Sequence, residues 1–435
     1  MPVEPHPPIA PLTRSARHHP EHKPEQEPER HDSRAAALGS FASDPDLRAE
    51  RAHCAMMAAC SVRKLFLHRL LGIPGTLIGE ASAPASKRLT DKLTRWNYWW
   101  QAQLLDVFID AAEREQTSGH DLEARHWLER GEQLLRGIRW HNFGTYRNRY
   151  YDDMAWLTLA ACRLNDLSRS LTGRGSLPAQ EVGQALYPQL DLAQSDELGG
   201  GCFWNKDENF KNTPANGPIA LAWARAGRHE TARELLSWLR AHLWDEQRGY
   251  LDGITLLPQD DGPRKPQIDD AEFSYNQGSV LGALLSTDGA DLAHAEQIIA
   301  VIQERFTQQV ELEGRTFTVL RTHGTGDAGL FTGILARYLA LAAEDHRLAP
   351  PSRATARELI LSTADLLWDG HRAFDPELPL NEPGVDVREI RGQAVAVFST
   401  DPGLPASKTL GAGARIELSG QVQAWTILEA AYRLS

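Results

Sequence analysis

Two consecutive acids, Asp152 and Asp153, stand near the head of the segment NRYYDDMAWLTLAACRL (148–164), flanked by Tyr150, Tyr151 and Trp156. Two carboxylates about 5 Å apart at an effective dielectric of ~20 repel by roughly 3 kcal/mol, which separates their titrations by about two pKa units. One then stays ionised while its neighbour holds a proton near neutrality. Cleavage of a glycosidic bond needs that division: an ionised acid attacks the anomeric carbon and a protonated one gives its proton to the leaving oxygen. Adjacent residues can only be close, which points to the short carboxylate separation of a retaining double displacement. The bland alternative is a pair of solvated first-turn acids favoured by a helix dipole. The aromatic company argues against it, because it excludes water and offers a stacking face to a sugar.

A helix must carry the pair. Asn148 is an N-cap residue by type, and Met154, Leu157 and Ala161 follow at helical spacing. An ordinary helix turns about 100° per residue, so both acids face one cleft only with a curved or locally wide turn.

The same apolar spacing recurs in LRAERAHCAMMAACSVRKLFLHRLL (47–71), WNYWWQAQLLDVFIDAAEREQ (96–116) and DLEARHWLERGEQLLRGI (121–138). With 147–171, 178–194, 214–227, 229–245, 271–287, 290–307, 328–345, 352–368 and 419–434 it predicts twelve helices and no competing strand run. Short links such as AGRHE (226–230) and STDGADL (286–292) alternate with long Gly/Pro/Asp-rich segments at 197–213, 246–270, 311–327 and 369–418. Short links make antiparallel neighbours, and long loops on a rigid scaffold are where binding and catalysis concentrate. The expected fold is all-α, an (α/α)6 toroid of six helical hairpins with a cleft at one mouth. An open solenoid would show self-similarity at a fixed period, and none is visible.

With 435 residues, 42% of them hydrophobic, and 12 Trp, the chain has ample material for a globular core. A formal net charge of -12 argues against nucleic acid or an anionic membrane as partner and leaves a neutral, polar ligand. No apolar run reaches membrane-spanning length, and Met1 to Arg30 holds none at all, so a cytoplasmic location is expected. Residues 1–45, rich in Pro, His, Glu and Arg, are expected to be a disordered tail before a single domain at 46–435. Cys54, Cys60, Cys162 and Cys202 lack metal-site spacing and read as buried thiols, and His141 and His323 stand apart from other ligand types, so no metal is expected.

Other candidates each have two faces. Trp99 and Trp100 are sugar platforms or core aromatics. Trp204, in a glycine-rich loop, has less core to fill. Asn205, Lys211, Asn212 and Asn216 could bond sugar hydroxyls or cap the helix starting near Pro214, with Asn216 the preferred ligand. Tyr275, Asn276 and Gln277 precede the apolar run VLGALL, so they reach a cleft or need buried partners. Asp327, after HGTG, is an N-cap or a substrate-binding acid.

In its YYDDMAW segment the sequence resembles glycoside hydrolase family 76, the α-1,6-mannanases, whose hallmark is a consecutive Asp-Asp in this context. WNYWWQAQLLD (96–106), GGGCFWNKDENFKNTPANGP (199–218), FSYNQGSVLGALL (273–285), DAGLFTGILARYLALA (327–342) and LSGQVQAWTILEAAYRL (418–434) resemble that family's blocks in the same order. The resemblance implies an (α/α)6 fold and retaining hydrolysis of α-1,6-linked mannose backbones. Asp152 would be the nucleophile, Asp153 the general acid/base, and a mannose-containing polysaccharide or oligosaccharide the partner. Tyr151 joins the substrate-binding candidates, and no cofactor is implied. Gln103 stands in WWQAQ where the family pattern leads one to expect His. Rival functions are a transglycosylase, in which a sugar hydroxyl intercepts the covalent intermediate, and a non-catalytic mannan-binding protein. A sugar epimerase would need a pair of cleft bases, commonly His, and no such pair is apparent.

Overall fold

The periodic segments form twelve long helices among the residues described by the computed structural model, which are 45–85, 96–374, 395–410 and 415–435. They are α1 (Pro45–Phe66), α2 (Tyr98–Thr117), α3 (Asp121–His141), α4 (Tyr151–Thr172), α5 (Leu177–Leu192) and α6 (Thr213–Arg225). The second half holds α7 (His229–Leu243), α8 (Ser274–Ser286), α9 (Leu292–Arg305), α10 (Phe331–Glu344), α11 (Pro350–Asp369) and α12 (Leu418–Arg433). The expected N-terminal tail lies outside the described residues, apart from Pro45, which opens α1.

Even-numbered helices form an inner ring: α2 packs on α4, then α6, α8, α10 and α12 follow in turn, and α12 returns to α2. Each carries an outer partner. The hairpins are α2–α3, α4–α5, α6–α7, α8–α9 and α10–α11, and the sixth pair joins the first and last long helices, α1 and α12. The architecture is the expected (α/α)6 toroid. Burial explains the sorting. Inner α10 (FTGILARYLALAAE) is buried on nearly every side, whereas outer α7 buries only Ala232, Leu235, Leu236, Trp238, Leu239 and Leu243, one face at helical spacing. Close approach inside the ring depends on small residues; a Cβ at Gly278 would stand 2.8 Å from the Leu335 Cα of α10.

Because inner helices alternate with outer ones along the chain, all inner helices run the same way and present their N-termini at one mouth. Deeper in the ring an ion network ties three of them together. Arg163 of α4 binds Asp106 at 2.5 Å and Asp110 at 2.8 Å, both on α2, and Arg337 of α10 reaches the same two acids at 3.0 and 2.6 Å. These cations hold the Asp106 carboxyl below its ordinary range despite burial.

Strands occur where only loops were expected. The cleft side carries β1 (Phe210–Asn212), β2 (Gly249–Leu257) and β3 (Lys265–Glu272), with β2 between the other two. A second hairpin pairs β4 (Thr307–Leu312) with β5 (Arg315–Leu320). The sequence hid the first sheet because β2 is buried on both faces and β3 is almost wholly exposed, so neither alternates. Among the described residues no helix is long and apolar enough to cross a membrane.

Candidate active site

Asp152 and Asp153 occupy the first turn of α4, at the mouth where the inner N-termini gather. Asn148 is not the helix cap; Tyr150 holds that position without a side-chain cap. Asn148 instead donates its side-chain amide to Asp153 Oδ2. The glycine-rich loop is strapped to the same turn, since Tyr151 N–H donates to Trp204 O at 2.8 Å and Tyr150 bridges Asn205. That strap sets the Trp204 indole to donate to Asp152 Oδ2 at 2.9 Å, while Asp152 Oδ1 accepts the Asp153 backbone N–H, also at 2.9 Å.

Burial raises both carboxyls, and it outweighs their mutual repulsion, the effect that adjacency alone suggests. Asp152 rises only to about 7, because the Trp204 indole and backbone N–H groups favour its charged form. Asp153 is driven well above the carboxylate range by burial, then by the Asp152 charge, with Asn148 opposing and Asp327 adding to the rise. Asp152 therefore ionises first and Asp153 keeps its proton, which equips the pair with one nucleophile and one acid.

Asp327 sits in a short helical turn before α10 and is fixed by both tryptophans: Trp99 and Trp100 donate their indole N–H groups to its Oδ1 at 2.9 and 2.7 Å. It is not the cap of that turn; Thr325 is. Trp99 is partly exposed and Trp100 buried. Tyr275 lies flat on Phe331, ring centroids 3.9 Å apart and planes 11° from parallel. Burial and the charges of Asp252, Asp152 and Asp327 keep its phenol protonated.

Other candidates shape the site from behind. Asn216 bonds the N–H and C=O of Cys202 and the C=O of Asn212, Gln277 clamps both backbone groups of Tyr250, and Asn205 accepts the Asp207 N–H. Tyr151 is buried, and burial first, then the nearby Glu208, raises its phenol above the ordinary range. Lys211 is wholly buried and donates to the carbonyls of Ser195, Glu197 and Gly200, holding the glycine-rich loop. Asn212 caps α6 by accepting from Ala215 N–H. Asn276 is fully buried, and its side-chain amide faces the Asp252 carboxyl, whose charged form it favours.

Two groups at this mouth carry no sequence motif. Asp252, on β2, acts on the titration of both Asp152 and Tyr275 and is itself raised to about 7 by burial and by Asp269. Its signal was an acid placed between apolar residues in YLDGI, where a charge needs a reason. His323 accepts the Ser274 N–H at 3.3 Å beside Phe273 and Phe331, and burial lowers it to about 4, so it stays neutral.

Solved structures share this architecture. The α-1,6-mannanase GH76A from Salegentibacter sp. HEL1_6 matches with a TM-score of 0.66 and 25% identity, covering 88% of this chain and 100% of that one. An inactive variant of that enzyme, bearing aspartate-to-asparagine changes at two consecutive positions and bound to α-1,6-mannotriose, matches at 24% identity, again with a TM-score of 0.66 and the same coverage. A family 76 glycoside hydrolase (mannosidase) from Bacteroides thetaiotaomicron VPI-5482 matches in fold at 16% identity and a TM-score of 0.63, over 89% of this chain and 98% of its own. No curated protein sequence matches. The model of glycosyl hydrolase family 76 matches residues 75–375, and the chain belongs to that family.

Proposed function

We propose that this protein is a retaining glycoside hydrolase that cleaves α-1,6-mannosidic linkages in mannan or manno-oligosaccharides, within one catalytic domain spanning 46–435. The observation that carries the proposal is the unequal hydrogen bonding of the acid pair. Asp152 receives two N–H donors that favour its carboxylate, while Asp153 has only the Asn148 amide against its burial and the Asp152 charge, and holds a proton.

In the first step Asp152 attacks the anomeric carbon as the glycosidic C–O bond breaks, and Asp153 gives its proton to the departing oxygen. A water then surrenders a proton to Asp153 and attacks the same carbon, freeing Asp152 and restoring the α configuration. Trp99, Trp100, Trp204, Tyr275 and Asp327 line the sugar path, and Tyr151, Asn205, Asn216, Asn276 and Gln277 hold it in shape. The Salegentibacter variant supports this reading, because two consecutive aspartate replacements leave that enzyme inactive with α-1,6-mannotriose bound.

The test is incubation with α-1,6-mannan and short α-1,6-manno-oligosaccharides beside Asp152→Asn and Asp153→Asn, following the anomeric configuration of released sugar by NMR. Products of retained configuration, lost in both variants, are expected. Inverted products, or turnover that survives either change, would overturn the mechanism.

A further inference from the structure

Outer helix α3 runs antiparallel to α2, so it ends on the cleft side of the molecule, in the turn RWHNFGTY (139–146). The aromatics of this turn divide. His141 stacks on Trp96, ring centroids 4.3 Å apart and planes 27° from parallel. Trp140 and Phe143 are left in solvent, 63% and 98% exposed. A single apolar side chain in water is ordinary, but two large rings bared three residues apart need a reason.

The backbone makes Phe143 a costly choice. The Gly144 N–H donates to the Arg139 carbonyl at 2.8 Å, closing a Schellman motif with Asn142 as C-cap and Phe143 as the residue after it. That position is left-handed, and Phe143 holds φ at +56°. Glycine is its usual occupant, because a Cβ is disfavoured there. The apolar contact that accompanies the motif falls to other positions, so the Phe143 ring adds nothing to closing the turn. The turn is also rigid. Asn142 donates its side-chain amide to the carbonyls of Thr145 and Arg147, both at 2.9 Å. Arg139 donates from Nε to the Gly144 carbonyl at 3.1 Å and pairs through Nη1 with Glu181 of α5 at 2.7 Å. A strained backbone held fixed under a bare aromatic ring is a feature of binding sites.

Size and setting select the occupant. Two aromatic side chains cover roughly 300–500 Å², well short of the about 800 Å² per partner that a stable protein interface needs. The exposed neighbours Arg139 and Arg147 are hydrogen-bond donors. Bare rings beside such donors suit a polyhydroxy chain, which stacks its C–H faces and keeps its hydroxyls wet. From Arg147 the same loop runs on to Tyr150 and the acid pair, so a chain held here lies on the side where cutting takes place.

We propose that Trp140 and Phe143 form a second carbohydrate platform, on the outer ring and separate from the cleft, which holds a long α-1,6-mannan chain while another stretch of it is cut. The identity of the sugar rests on the proposed glycosidase function.

The experiment runs Asp152→Asn and Asp152→Asn/Trp140→Ala/Phe143→Gly through gels containing long α-1,6-mannan, where retardation reports binding without turnover. The triple variant is expected to bind the polymer at least threefold more weakly. In the active background, Trp140→Ala/Phe143→Gly should lower the ratio of kcat/KM on the polymer to kcat/KM on α-1,6-mannotetraose threefold or more, chiefly through KM on the polymer. Equal retardation of the two proteins, or a loss on mannotetraose as large as that on the polymer, overturns the platform. A dimer in sedimentation that the paired change dissociates also overturns it, since the rings would then belong to an interface between copies. If no α-1,6-mannoside is cleaved, the proposed function fails, and the platform stands or falls on whether retardation is lost with the two rings. Both positions are exposed and glycine suits the left-handed one, so thermal melting should show the variants folded.

Discussion

The indole N–H of Trp204 points at Asp152 Oδ2 from 2.9 Å, across a strap of backbone bonds that ties the glycine-rich loop to the start of α4. Trp204 thereby favours the charged form of the neighbouring carboxyl. A hydrogen bond to a charged group contributes about 1.5–3 kcal/mol, equivalent to roughly one to two pKa units. Asp152 must be ionised to attack, so kcat/KM is expected to fall as pH drops through about 7. Trp204→Phe keeps a ring, removes the donor, and should move that acid limb upward by about one unit. A pH–rate profile of the variant checks this; an unmoved limb would show that the indole does not govern Asp152.

Azide separates the roles of the two acids. On an activated α-mannoside, Asp152→Ala should use azide in place of its missing nucleophile and release a β-mannosyl azide. Asp153→Ala should still form the covalent intermediate, which azide then intercepts to give the α-mannosyl azide. NMR of the products decides the order, and reversed stereochemistries would exchange the two assignments.

Asp327 raises the proton affinity of Asp153 while its Oδ1 anchors two indoles. Asp327→Asn retains an acceptor and removes the charge, so Asp153 should lose its proton more readily and the alkaline limb of the profile should move to lower pH. Asp327→Ala also strands the two indole donors and should cost about 1–3 kcal/mol of stability. Melting curves and pH profiles of the two variants distinguish the charge from the anchor.

The Arg163 network predicts a stability effect remote from the cleft. Arg163→Met leaves Asp106 and Asp110 sharing only Arg337, and breaking a buried ion pair from one side costs about 3–5 kcal/mol. Denaturant unfolding should show a loss of this order. A change below about 1 kcal/mol would mean that Arg337, with Arg225 near Asp106, neutralises both acids.

The helices were legible because each inner or outer segment buries a face at helical spacing, and Asp152–Asp153 were legible because adjacent acids amid aromatics are conspicuous. The β2–β3 hairpin was not, since its pairing lies in backbone bonds that leave no alternation in GYLDGITLL or KPQIDDAE. Asp252 was hidden with it. Asn148 looked like a cap because its type and position fit one, yet the chain stays extended through Tyr150 and frees the amide for Asp153. For Asn216 and Gln277 the residue type could not show whether the amide turns to a sugar or to a neighbouring backbone. Only the fold discloses that Asn216 bonds the backbone of the glycine-rich loop at Cys202 and Gln277 the backbone of β2 at Tyr250.

Because α12 completes the inner ring between α10 and α2 and also carries α1 as its outer partner, the order of synthesis matters. A nascent chain can stack five hairpins, but until α12 leaves the ribosome the flanks of α2 and α10 face water and α1 lacks its main partner. The barrel therefore closes as a late event, and a ribosome stalled before Leu418 would hold a chain with an open, sticky seam.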